Sequence, residues 1–267
     1  MKRATLVAMS HPSVTTAALP YRTSGRGPAV VLIHGTAPDF FDALEAELVA
    51  DHTVVRLDRR GFGASGLPAV ASLTTHAEDI AAIVAELGSA VLVGWSIGGV
   101  IALEAALLCE KRLRGVMLLE PPWLLRSSPT LRMVAGFAGA KLLGALGQPA
   151  AGGRRFLRWA LALRDGRCEL DELSVADRAR VDAAGAAILR ELDSGTGEHL
   201  APRLQGPLAV PVRLLVGTDS TPELPAAGAR LAKLLAVEPR AVLGAGHFLQ
   251  QTHAAEVATH VRAIRAW

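Results

Sequence analysis

The chain has 267 residues, 51% of them hydrophobic, enough for one large core, and it carries no apolar run approaching the roughly 18 residues a membrane span requires. Its formal charge of +3 comes from 28 basic residues, 24 of them arginine, spread along the chain rather than gathered in a stripe, which excludes an obvious nucleic-acid surface. Cys109 and Cys168 have no metal-type spacing and read as reduced thiols of a cytoplasmic protein, and the apolar stretch of about six residues after Met1-Lys2-Arg3 is too short for a secretion signal.

In chain order, short β-branched runs alternate with longer helical ones, the pattern of a mostly parallel sheet flanked by helices. A strand or hairpin is expected from Val14 to Tyr21, then strands at Ala29–Ile33, Thr53–Leu57, Ala90–Val93, Gly115–Leu119, Val212–Val216 and Arg240–Leu243. Helices are expected at Phe40–Ala50, Leu73–Leu87, Ile97–Glu110, Pro225–Leu235 and His253–Ala266. The alternation breaks after Pro121-Pro122. Up to Pro211 the periodicity predicts only helices, around Thr130–Leu146, Gly153–Leu163 and Asp177–Leu192. Residues 1–120 and 207–267 thus read as an α/β core and 121–206 as an inserted helical cap, glycine-rich at first and so a poor helix former there. Inserts of this kind lie at the carboxyl ends of the strands, where open sheets bind ligands.

Gly94-Trp95-Ser96-Ile97-Gly98 follows an apolar strand and opens a helix, which places Ser96 on a tight strand-to-helix turn as a candidate nucleophile. A serine hydroxyl needs a base, and His247, in Gly244-Ala245-Gly246-His247-Phe248 after the last strand, lies where one must come from. Acyl transfer also needs two N–H donors for the oxyanion. Ile97 can supply one, and the loop after Ile33 the other, through Thr36 or, next, Ala37. His34 ends its strand and is expected to pack locally. His253, Glu256 and His260 do not make a zinc pattern. Gly61-Phe62-Gly63-Ala64-Ser65-Gly66 matches G-x-G-x-x-G but opens no helix, with Pro68 close behind. It reads as a structural turn held by Asp58 and Arg59 rather than a nucleotide site.

His34-Gly35, Asp58–Ser65, the Ser96 turn and Gly246-His247 together resemble the α/β-hydrolase family over nearly all of the chain outside the cap. The resemblance implies the order nucleophile, acid, histidine and, with serine rather than aspartate as nucleophile, ester-type acyl transfer. The commonest acid position in that family is not matched, since Asp219 stands one residue early after Gly217. Glu120, after Leu118-Leu119 and before two prolines, occupies a position that carries the acid in some relatives and is favoured, with Asp219 as the alternative.

The expected activity is that of a carboxylesterase-like serine hydrolase acting on a small apolar ester or thioester without cofactor or metal. Its pocket walls would be Trp95, Phe40 or Phe41, Trp123, Phe248, Phe137, Leu131 and Met133. Transfer of the acyl group to another acceptor, as in an acyltransferase, thioesterase or cyclising enzyme, is the first rival. The second is a non-catalytic ligand-binding protein of the same fold. A small-molecule substrate, no nucleic-acid or membrane partner, and a monomer or homodimer complete the expectation.

Overall fold

The computed structural model describes residues 19–264. Its sheet has seven strands: β1 (Tyr21–Gly25), β2 (Ala29–Ile33), β3 (Thr53–Leu57), β4 (Ala90–Trp95), β5 (Leu113–Leu119), β6 (Val212–Gly217) and β7 (Arg240–Val242), in the spatial order β1-β3-β2-β4-β5-β6-β7. Only β1 is antiparallel, pairing with β3 at the edge. A parallel sheet needs crossovers that cover both faces, and its strands are accordingly continuous apolar runs. In β2, Val30 and Leu32 join the core on one face while Val31 and Ile33 join the other.

Helices α1 (Asp42–Leu48), α2 (Leu73–Leu87) and α3 (Ile97–Cys109) link the early strands. Helix α2 is amphipathic and starts where Ser72 accepts a hydrogen bond from the Thr75 N–H at 3.2 Å. Helix α3 is apolar nearly all round and buried from Ile97 to Ala106, as a helix behind the centre of a sheet must be. Between β5 and β6 the chain forms α4 (Leu131–Ala145), α5 (Pro149–Ala160), α6 (Val175–Ala183) and α7 (Gly185–Glu191), and the fold closes with α8 (Glu223–Leu235), α9 (Leu249–Thr252) and α10 (Ala254–Arg262).

Several boundaries differ from expectation, each for a local reason. The first helix starts at Asp42 because Phe40 and Phe41 are buried in the loop before it. The segment expected at 177–192 is two helices, broken where Gly185 meets α5: a side chain there would sit 2.4 Å from the Pro149 carbonyl oxygen. The last helix is split at His253 into α9 and α10. The strand expected from Val14 falls largely outside the described residues, and the first strand begins at Tyr21. The glycines that made the first inserted segment look weakly helical are its contact points instead. A side chain at Gly136 would meet Trp159 at 3.0 Å.

Candidate active site

Ser96 leaves β4 at φ 55°, ψ −127°, a backbone conformation that costs a non-glycine residue of order 1–3 kcal/mol and persists only when its surroundings fix it. The fixing contacts are visible. The Ser96 N–H bonds the Leu119 carbonyl at 2.8 Å, and the glycines two residues either side allow strand and helix to close on the turn. A Cβ at Gly94 would lie 2.3 Å from the Gly98 oxygen, and one at Gly98 2.1 Å from the Ile33 oxygen. Ser96 itself stays half-buried on a cavity wall.

His247, 2% exposed, follows β7 on a loop, and its carbonyl is held by the Trp95 indole N–H at 2.7 Å. Its Nδ1 lies 2.8 Å from Oε2 of Glu120, the residue after β5. Glu120 is wholly buried and accepts two further bonds, from the Gly217 N–H at 2.7 Å and the Ser220 hydroxyl at 2.8 Å. It too has a left-handed backbone, φ 46°. Asp219 is not at the histidine. Its carboxylate accepts from the neighbouring Thr218 hydroxyl, while its main chain bonds Ala245 and Arg164. One residue of register turns an aspartate away where a glutamate from the adjacent strand arrives.

The loop after β2 carries Thr36 to the same cavity as Ser96, Ile97 and His247. The Ala37 N–H is spent on the Gly35 carbonyl at 2.7 Å, which withdraws it as an oxyanion donor. Arg59 holds the loop from behind, donating to the carbonyls of His34 at 3.0 Å and Gly35 at 2.7 Å. The Arg59 carbonyl also accepts the Phe62 N–H at 2.8 Å, and Asp58 accepts from the Ala64 N–H at 2.8 Å, so both residues hold the 61–66 turn as the sequence suggests. Arg59 then pairs with Glu191 at the end of α7, also on the cavity wall. Against the upward effect of burial, Arg59 and the Thr36 hydroxyl hold the Glu191 carboxyl below its ordinary pKa. His34 accepts from the Arg59 N–H through Nε2 and bonds the Gly35 carbonyl through Nδ1, so it is a neutral structural residue; burial and Arg59 push its pKa well down. His76, 3.6 Å from Glu191, is likewise neutral, lowered to about 3 by burial and Arg59.

A second inserted carboxyl touches the histidine loop. Glu169 accepts from the Phe248 N–H at 3.0 Å. Burial, opposed by that hydrogen bond and reinforced by the charge of Glu120, raises it to about 7.

The cavity holds about 470 Å³, its open mouth included. Of the walls expected from sequence only Phe137 lines it. Trp95, Phe40 and Phe248 form an aromatic cluster behind His247, with ring centroids 5.1 to 5.5 Å apart. Trp123 packs against Gly197. Phe41 and Met133 are core residues, and Leu131 is 90% exposed. The walls are instead Phe156, Trp159, Leu192, Leu125 and Leu224, with Arg126 and Thr196 adding polar groups. Nothing in the sequence separated these from other apolar insert residues, because which face of each inserted helix turns inward depends on their mutual packing. His253 and His260 bond locally, to Thr252 and Arg213.

A model of the Alpha/beta hydrolase family matches residues 30–260. The chain belongs to that family. Among hydrolase relatives, a pimeloyl-[acyl-carrier protein] methyl ester esterase of Xylella fastidiosa is 38% identical over 98 residues, covering 36% of this chain and 37% of its own. An epoxide hydrolase of Caballeronia sordidicola is 32% identical over 115 residues, covering 40% of this chain and 35% of its own. The matched region thus spans little more than a third of the length of these relatives. Solved hydrolase structures align along nearly the whole chain at lower identity. An esterase from Thermogutta terrifontis has a TM-score of 0.70 at 23% identity, with 92% of each chain covered. A bromoperoxidase from Bacillus anthracis has a TM-score of 0.74 at 23% identity, covering 92% of this chain and 94% of its own. At that level of identity the likeness is one of fold.

Proposed function

We propose that this hydrolase cleaves a carboxylic ester of a small, largely apolar acyl group through Ser96, His247 and Glu120. The observation that carries this reading is the 2.8 Å contact between Glu120 and Nδ1 of His247, with His247 and Ser96 on one cavity wall. Glu120 fixes the tautomer with its proton on Nδ1, leaving Nε2 to take the Ser96 proton as the hydroxyl oxygen attacks the ester carbonyl. The N–H groups of Thr36 and Ile97 receive the oxyanion. Collapse of the intermediate expels the alcohol, which takes the proton from His247, and water repeats the sequence to free the acid. The esterase names among the relatives support ester cleavage, and serine in place of a carboxylate nucleophile favours it over epoxide opening.

The aromatic walls Phe137, Phe156 and Trp159 suit an aliphatic or aromatic acyl chain better than a sugar. Labelling with a fluorophosphonate, alongside hydrolysis of p-nitrophenyl esters of graded chain length, tests the reading. Wild type is expected to label and turn over and Ser96→Ala to do neither; a native wild type that resists the reagent overturns it.

A further inference from the structure

Helix α4 is apolar on both sides, and only one side is buried. Its inner face, with Met133, Gly136 and Ala140, packs into the insertion, and Phe137 reaches the cavity. Its outer face carries Leu131, Val134, Ala138, Leu142 and Leu146 at spacings of three and four, one stripe at 3.6 residues per turn. The large ones are 90%, 49%, 61% and 63% exposed, and they make up four of the seven exposed large apolar side chains among the described residues. Such a concentration on one ridge marks a contact surface.

Charge selects what covers it. Residues 121–164 contain seven basic side chains and no acidic one. Lys141, Arg154 and Arg158 pair with Asp193, Asp182 and Asp171 from later in the insertion. Arg126, Arg132 and Arg155 have no carboxylate within hydrogen-bond reach: Arg132 donates to the Trp159 carbonyl, and Arg155 lies against Gly139. Arg132 and Arg155 therefore border the stripe on one side and Lys141 borders it on the other. A second copy docked antiparallel by two-fold symmetry would set the Arg132 and Arg155 border against its own copy, while the Lys141 border is neutralised by Asp193. An exposed apolar stripe edged by arginines on one side is the pattern of a helix lying at the boundary of headgroups and acyl chains, its cations reaching anionic phosphates.

We infer that the outer face of α4 docks the protein peripherally on an anionic lipid surface. No helix among the described residues is long and apolar enough to cross a membrane, so the contact is with one leaflet. Flotation of the full chain with vesicles of phosphatidylglycerol and phosphatidylcholine in equal parts, and of phosphatidylcholine alone, tests this. Binding is expected to the first and to fall at least tenfold on the second or in high salt. Leu131→Asp/Leu142→Asp, at exposed positions and checked by thermal melting, is expected to abolish it, while Arg132→Gln and Arg155→Gln weaken it about fivefold each. Vesicle binding that is absent in wild type, or unchanged in the leucine variant, overturns the inference. So does self-association in sedimentation velocity that the leucine variant loses, which would assign the stripe to a second copy. Binding to polyglutamate as tight as to the anionic vesicles would assign it to an acidic protein.

Discussion

Glu120 accepts three hydrogen bonds, two from the stretch at the end of β6 and one from the His247 loop, which fixes its carboxylate against the ring. Glu120→Gln keeps the side chain's shape but loses the charge that stabilises the imidazolium. Ester turnover is expected to fall by about 10⁴-fold, the scale such a replacement has in serine triads, with little change in KM. Asp219→Asn, away from the ring, should leave kcat near wild type; steady-state kinetics on both variants decide the assignment. Glu169 gives a pH dependence of defined sign. The folded chain binds its proton more tightly than the unfolded chain does, because burial raises it to about 7. Its stabilising share is therefore complete below the ordinary carboxyl range and is lost as pH rises through about 7. Melting temperature is expected to drop between about pH 6 and about pH 8 in wild type, and the drop to shrink in Glu169→Gln.

Among the elements, β4, the Ser96 turn and α3 are where sequence and structure agree most closely. An apolar run, two glycines and a serine can satisfy one another in few ways. Gly98→Ala tests how tight that solution is. The added carbon would meet the Ile33 oxygen at 2.1 Å, and since that oxygen belongs to a central strand it cannot step aside. A loss of about 1–3 kcal/mol or more follows, read as an earlier urea midpoint, together with poor labelling of Ser96. His247 is legible from its place on the loop after the last strand, whereas Glu120 is only favoured over Asp219 in the sequence, since both follow strands; in the structure it is the Glu120 carboxylate that lies beside the ring. The pocket walls were not legible. Nearness in sequence to the candidate site residues points Phe40, Trp95 and Phe248 at the pocket, but an aromatic side chain beside such a loop can face either the cavity or the core, and here all three face the core. Phe156, Trp159 and Leu192 gave no sign because their orientation is fixed by helices packing on helices, which no local pattern encodes.

At the scale of the whole molecule, the insertion is tied to the core by a buried ion pair. Arg59 is wholly buried and Glu191 is 3% exposed, and together they join α7 to the loop that offers Thr36. Removing one partner strands a charge in the interior. Arg59→Met is expected to cost about 3–5 kcal/mol in urea unfolding, and Arg59→Met/Glu191→Leu to recover most of it. If the double variant regains stability but not turnover, the pair serves to aim the oxyanion loop. A double variant as unstable as the single one would instead place the cost in lost packing. The sequence marks Arg59 only as a holder of the 61–66 turn and gives Glu191 no role. Arginine after aspartate in a glycine-rich turn, and glutamate near the end of a helix, both have the pattern of solvated surface, and their pairing spans 132 residues.

The clasp of Glu169 on the Phe248 N–H has a practical side. Ser96 and Glu120 are seated on neighbouring central strands, bolted together by the Ser96–Leu119 hydrogen bond, whereas His247 rides on a loop. Of the three groups proposed to react, the histidine is the one on a loop, and the residue after it is held by a carboxylate from the segment between β5 and β6. An engineer wishing to retune the enzyme has a dial in residues 161–172 that leaves Ser96, His247 and Glu120 themselves untouched.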